Sequence, residues 1–151
     1  MKKIIMLFTV LLFLTNITDA QKRGFGVGII IGEPTGLSFK SFISGTTAID
    51  GAAAWSFSDH HSAFHLHVDY LVHSYDLINV QKGRLPFYFG IGARVKAADD
   101  AQFGVRIPVG LSYEFQNFPS DIFLELAPIM DLAPATKFRM NGAIGIRFYI
   151  Q

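Results

Sequence analysis

His65, His67, Asp69 and His73 recur at alternating positions within one short stretch. On a β-strand such positions project from the same face, so neighbours at i and i+2 can share a ligand. His65, His67 and Asp69 are therefore a candidate metal set, two imidazoles and a carboxylate, with His60 and His61 just upstream. The competing expectation, which carries more weight, is that these are polar residues in a hydrogen-bonded interior. A second group, Ser56, Ser58, Asp59, His60, His61 and Ser62, contains the residue types of hydrolytic chemistry. A hydroxyl nucleophile needs a base within hydrogen-bond reach. The residues read first as a polar surface turn. Gly24, Gly26 and Gly28 lack the spacing of a phosphate-binding loop and no helix follows them, so nucleotide binding is not expected. No motif demands a cofactor.

These residues need a frame, and composition bounds it. The chain has 151 residues, no cysteine and a net charge of +1. One domain is expected, without disulfides, a thiolate metal site or a lipidated cysteine. The balanced charge gives no general attraction to nucleic acid. Charged residues make up 17% of the chain and mean hydropathy is +0.34, yet no stretch after residue 20 is long and apolar enough for a membrane helix. Residues 1–20 read as a secretory signal peptide: Lys2 and Lys3, an apolar run from Ile4 to Leu14, and small residues before a cut after Ala20. Residues 21–151 are left as the folded domain.

Over that domain period-two alternation dominates. It predicts eight strands near 24–32, 36–43, 47–57, 63–73, 85–96, 102–115, 121–132 and 138–150, separated mostly by short turns. One face of these strands is apolar, rich in aromatics and free of charge. The other carries Lys40, Asp50, Asp69, Arg94, Lys96, Arg106, Glu114, Asp121, Glu125, Asp131, Arg139 and Arg147, six positive and six negative residues, together with most of the 14 glycines. The predicted fold is all-β, an eight-stranded antiparallel up-and-down barrel.

Alternation alone does not say which face is inside. A soluble lipocalin-like barrel would turn the apolar face inward to hold an apolar ligand; a membrane barrel would turn it outward. The interior of eight strands is only just wide enough for side chains, so the bulky face would overfill it. Trp55, Phe57, Phe64, Phe103 and Phe138 fall near one set of strand ends, and Phe25, Phe115 and Phe148 near the other, like two interfacial girdles. The transmembrane arrangement is therefore expected. The charged face then becomes a lumen in which cations and anions pair and plug the barrel, and Phe42, Leu71, Phe123 and Ile129 add a small apolar layer. Pro108 and Pro128 interrupt two strands. A bulge or an open ladder is expected there, and a bulge would slip the face by one residue after Pro128.

Six stretches carry a resemblance: Gly32–Lys40, His67–Leu71, Phe89–Arg94, Arg106–Tyr113, Asp121–Pro128 and Gly145–Tyr149. In order and spacing they resemble the small bacterial outer-membrane β-barrels of the OmpX and OmpA transmembrane-domain type, and an uncharacterised outer-membrane barrel family. The chain departs from the usual pattern in ending on Gln151 rather than an aromatic residue. The resemblance implies a Gram-negative outer-membrane address, surrounding lipids, the barrel-assembly machinery as a partner in biogenesis, and a monomer. It implies no reaction. Some barrels of this size modify lipid A, but the His-x-Ser spacing of the deacylases is absent from residues 63–73, where Leu66-His67 and Val68-Asp69 stand instead. A non-enzymatic structural, adhesive or surface-interaction role is expected. The alternatives are a soluble ligand-binding barrel and a lipid A-modifying enzyme.

Overall fold

Alternating apolar and small or polar residues let each segment bury one side and present the other. The computed structural model describes residues 24–56, 63–97 and 100–150, all strands and turns, with the side chain of residue 56 left out. The strands are β1 (Phe25–Gly32), β2 (Thr35–Phe42), β3 (Thr47–Ser56), β4 (Ala63–Ser74), β5 (Phe87–Ala97), β6 (Gln102–Arg106), β7 (Val109–Glu114), β8 (Ser120–Ala133) and β9 (Lys137–Ile150). Each pairs antiparallel with its neighbours, and β1 pairs with β9 from Phe25↔Ile150 to Gly32↔Ala143. Because β6 and β7 are two halves of one wall strand between β5 and β8, the ring has eight strands. Closure removes every sheet edge, so the backbone can satisfy its hydrogen bonds without water.

The end where β1 begins and β9 ends is called the base; the end of the Glu33-Pro34 turn is called the mouth. The longest described connection, between Ser74 and Phe87, lies at the base.

The sides of the wall are segregated as the alternation predicts, with the apolar face outward. Ile31, Ile91, Leu124, Leu132 and Met140 are exposed, whereas Lys40, Asp69, Arg106, Asp121 and Arg147 are almost fully buried. Trp55 packs edge-on against Phe64 near the mouth, and Phe118 against Phe148 at the base. Both ends therefore carry outward aromatics; Phe57 lies outside the described residues.

The strand is open at Ile107 and Pro108, between β6 and β7, as the proline predicts, but neither proline brings a bulge. Arg106 faces Ile129 and Val109 faces Leu126, which is one continuous register across Pro108. Ile107 donates to the Pro128 carbonyl at 3.0 Å and Gly90 to the Pro108 carbonyl at 2.9 Å. Neither proline has the N–H to return the bond, so the ladder loses donors but not register. Consequently no face slips after Pro128: Ile129 and Asp131 remain buried. The register shift occurs instead between Phe103 and Gly104, opposite Ala133 and Asp131, leaving Leu132 as the extra residue.

Two glycines explain how the lumen holds large side chains. A methyl group at Gly145 would run into the Phe123 ring, and one at Gly92 into the Asp69 carboxylate. The wall is bare where an opposing side chain lies across it.

Candidate functional site

The lumen is built from inward positions of every strand, and its charges form three sets. At the base, Lys40 Nζ is 2.7 Å from His73 Nε2 and 4.0 Å from Asp121 Oδ2. Asp121 also accepts from Ser112 Oγ at 3.1 Å, Tyr149 OH at 2.7 Å and Arg147 Nε at 3.1 Å. Arg147 donates through Nη1 to Asp50 Oδ2 at 3.1 Å, and its guanidinium lies 3.9 Å over the centre of the Phe123 ring. Glu114 closes this end with Tyr75 OH at 3.0 Å and Arg84 Nη2 at 2.6 Å.

At mid-height, Arg106 joins two strands. Its Nε is 3.0 Å from Asp69 Oδ2, an ion pair without hydrogen-bond geometry. Its Nη2 donates to Glu125, which also accepts from Tyr88 OH at 3.0 Å. Towards the mouth, Asp131 is shared: Arg94 Nη2 meets Oδ1 at 2.5 Å and Arg139 Nε meets Oδ2 at 2.9 Å. Taking charges out of water costs several kcal/mol per ion, roughly, so such groups persist only when paired and hydrogen-bonded. Between these sets Ile30, Leu71, Tyr88 and Phe123 form an apolar cluster with Ala52 and Ala143.

No protein family's sequence profile matches the chain, and neither does any curated protein. Among solved structures it is similar to the N-terminal β-barrel domain of Pseudomonas aeruginosa OprF, with a TM-score of 0.62 over 82% of this chain and 93% of that chain. The fold is an OmpA-type barrel. At 14% identity the likeness is one of architecture, and the lumen chemistry has to be read from this chain's own residues.

The structure brings most of the sequence-nominated charges together. Lys40, Asp50, Asp69, Arg94, Arg106, Glu114, Glu125, Asp131, Arg139 and Arg147 all point into the barrel, and each has an ionic partner. It does not bring His65, His67 and Asp69 to one point. His67 Nε2 is 3.8 Å from Asp69 Oδ2, but Asp69 is engaged by Arg106. Among the described residues no three His, Cys, Asp or Glu side chains converge as a metal site. The reason is geometric and electrostatic: same-face neighbours on a strand are spaced about 7 Å apart, and His65 and His67 lie across β4–β5 from Lys96 and Arg94. His73 is far along the strand, on Lys40. The serine and histidine group at 56–62 lies outside the described residues, apart from the backbone of Ser56.

Sequence reasoning passed over Tyr88, Ser112 and Tyr149, uncharged residues that hold two of the buried carboxylates. Their inward phase was the available signal. Tyr88 alternates with Gly90, Gly92 and Arg94, and Tyr149 with Arg147.

Proposed function

We propose that this chain is a non-enzymatic β-barrel of a bacterial outer membrane, with a structural or surface-interaction role and a lumen closed by its own ion pairs. In this reading residues 1–20 are removed as a signal peptide, and 21–151 insert as a monomer surrounded by membrane lipid. The observation that carries it is the inverted burial. An uncharged, aromatic-rich exterior encloses arginines, lysines and carboxylates that are buried among one another. Water would not solvate that exterior and lipid would. The likeness to the OprF barrel domain points the same way. Closure of the lumen is supported by Arg106 and Arg147, which are almost fully buried and together tie β9 to β3 and β8, and β6 to β4 and β8.

A soluble barrel for an apolar ligand would need the opposite lining. A ligand entering here would meet charges, and the exterior would promote aggregation. Fractionation decides between the two. The protein is expected in the outer-membrane fraction, with an electrophoretic mobility that changes on heating; release with the periplasm would overturn the reading. In planar bilayers the refolded barrel is expected to show no sustained conductance, and a steady open channel would overturn closure. An altered acyl pattern in the lipid A of a deletion strain would instead favour an enzyme.

A further inference from the structure

The connection from Ser74 to Phe87 is held to the barrel near both of its ends. At its start, Tyr75 OH donates to Glu114 Oε1 at 3.0 Å. Near its end, Arg84 and Glu114 exchange both backbone hydrogen bonds, at 3.0 and 2.8 Å, so one further bridge continues the wall below Phe87. Between these fixed points runs Asp76-Leu77-Ile78-Asn79-Val80-Gln81-Lys82-Gly83. Leu77 is 66% exposed, Ile78 37% and Val80 38%. A single exposed aliphatic side chain is ordinary on a protein surface. Three of them between Leu77 and Val80 form an apolar stretch, and such stretches mark contact surfaces.

A second, independent observation puts this stretch at the lipid-facing side of the wall. Ser112 and Glu114 are buried in the lumen, so Tyr113 between them points outward. Its ring meets Phe115 edge-on, with centres 4.9 Å apart. The Tyr113 hydroxyl donates to the Lys82 carbonyl at 3.0 Å. Gly83 takes a φ of +69°, and a methyl group there would come within 3.0 Å of the same hydroxyl oxygen. The chain thus turns at Gly83 directly beneath an outward aromatic pair. Phe115 belongs to the base girdle, and such girdles mark the level where hydrocarbon gives way to headgroups. The Lys82 backbone therefore lies close to that level. Val80, two residues on, can be at most about 7 Å away, and the headgroup layer is itself roughly 5–8 Å thick.

We propose that the Asp76–Gly83 segment is a membrane anchor, lying in the interfacial lipid layer at the base with Leu77, Ile78 and Val80 in contact with lipid. The proposal rests on the outer-membrane reading above. Lipid fits the stretch better than a protein partner does, because the stretch continues the uncharged exterior of the wall across the Tyr113–Phe115 pair. The irregular backbone and the amides of Asn79 and Gln81 require hydrogen-bonding surroundings, which headgroups supply and hydrocarbon does not. The segment therefore lies along the layer and does not enter the core. Lys82 is exposed, and its long apolar stem lets the ammonium reach lipid phosphates. The same segment would then hold lipid on one side and, through Tyr75 and Arg84, the lumen carboxylate Glu114 on the other.

The test uses the 21–151 barrel refolded into phosphatidylcholine vesicles, with Trp55, the chain's single tryptophan, as reference. Leu77→Trp and Val80→Trp are each made in a Trp55→Phe background, and the heat-dependent electrophoretic mobility shows whether each has folded. At both positions the emission is expected at shorter wavelength than that of tryptophan in water. Quenching by lipids brominated near the top of the acyl chain is expected to an extent comparable with that of Trp55 in the wild type. Should either variant fail to fold, the wild type decides. In nanodiscs containing a lipid with a nitroxide beside its headgroup, the amide resonances of Leu77 to Val80 are expected to broaden. Water-like emission without quenching, or amides that the nitroxide leaves sharp, would overturn the anchor. If Trp55 is still quenched in that case, the outer-membrane reading stands; an unquenched Trp55 would count against that reading itself. Protection of Leu77 to Val80 that follows protein concentration and ignores the lipid probes would assign the stretch to a second copy of the chain, and would equally overturn the anchor.

Discussion

The base and the mouth of this lumen are made from the same residue types on the same strands, yet they are wired differently. At the base and mid-height each arginine of the lumen wall spans two carboxylates: Arg147 holds Asp50 and Asp121, and Arg106 holds Asp69 and Glu125. Towards the mouth the relation is reversed, with one carboxylate, Asp131, dividing itself between Arg94 and Arg139. The first arrangement ties three strands together through each arginine. The second ties β5 and β9 to β8 through one carboxylate. Composition alone, six against six, hides this difference. The axial order of the charges decides which end is held by shared arginines and which by a shared carboxylate.

The comparison breaks most readily at Arg147. Arg147→Met would leave Asp50 and Asp121 buried with their main cation gone, and a loss of about 3–5 kcal/mol is expected, the cost of orphaning a buried charge. Urea unfolding in phospholipid vesicles measures it. An unchanged midpoint would mean that the base network contributes little to holding the ring. A smaller effect sharpens the packing contrast. Gly145→Ala pushes a methyl group into Phe123 beside Arg147 and is expected to cost about 1–3 kcal/mol. Gly104→Ala, whose first neighbour is the Asp131 carboxylate 2.8 Å away, is expected to cost less in the same assay. Equal losses would argue that the two ends are packed alike. Smallest of all is Arg139→Gln. Its side chain is partly exposed and Asp131 keeps Arg94, so the unfolding free energy is expected to change by about 1 kcal/mol or less. A large loss there would make the mouth a clamp like the base.

Much of this architecture was legible before any coordinates. Period two puts Arg106 and Ile107 on opposite sides of the wall whatever surrounds them, so the strands and the sign of each face could be read from residue types. Partners could not. Alternation reports which side a residue takes, but whether Asp131 meets one arginine or two depends on the stagger of strands distant in sequence. The prolines were legible in part: the strand opens at Pro108, but no bulge forms there. Pro128 stays within β8, because an extended proline keeps the alternation and costs only a donor. The irregularity went to Phe103 and Gly104, where Leu132 is the unpaired residue. The metal set failed to assemble because spacing along one strand says nothing of what the facing strand brings. Here it brought Lys96 and Arg94 opposite His65 and His67.

The seam between β1 and β9 has a consequence for how the protein is made. Phe25 lies beside Ile150, so the first strand finds one of its two neighbours only when the last has been delivered. A chain stopped before β9 would hold two raw edges, on β1 and β8, each a row of amides without partners. The pairing of the barrel's two ends is the most distant in sequence, and it is expected to be the last to form.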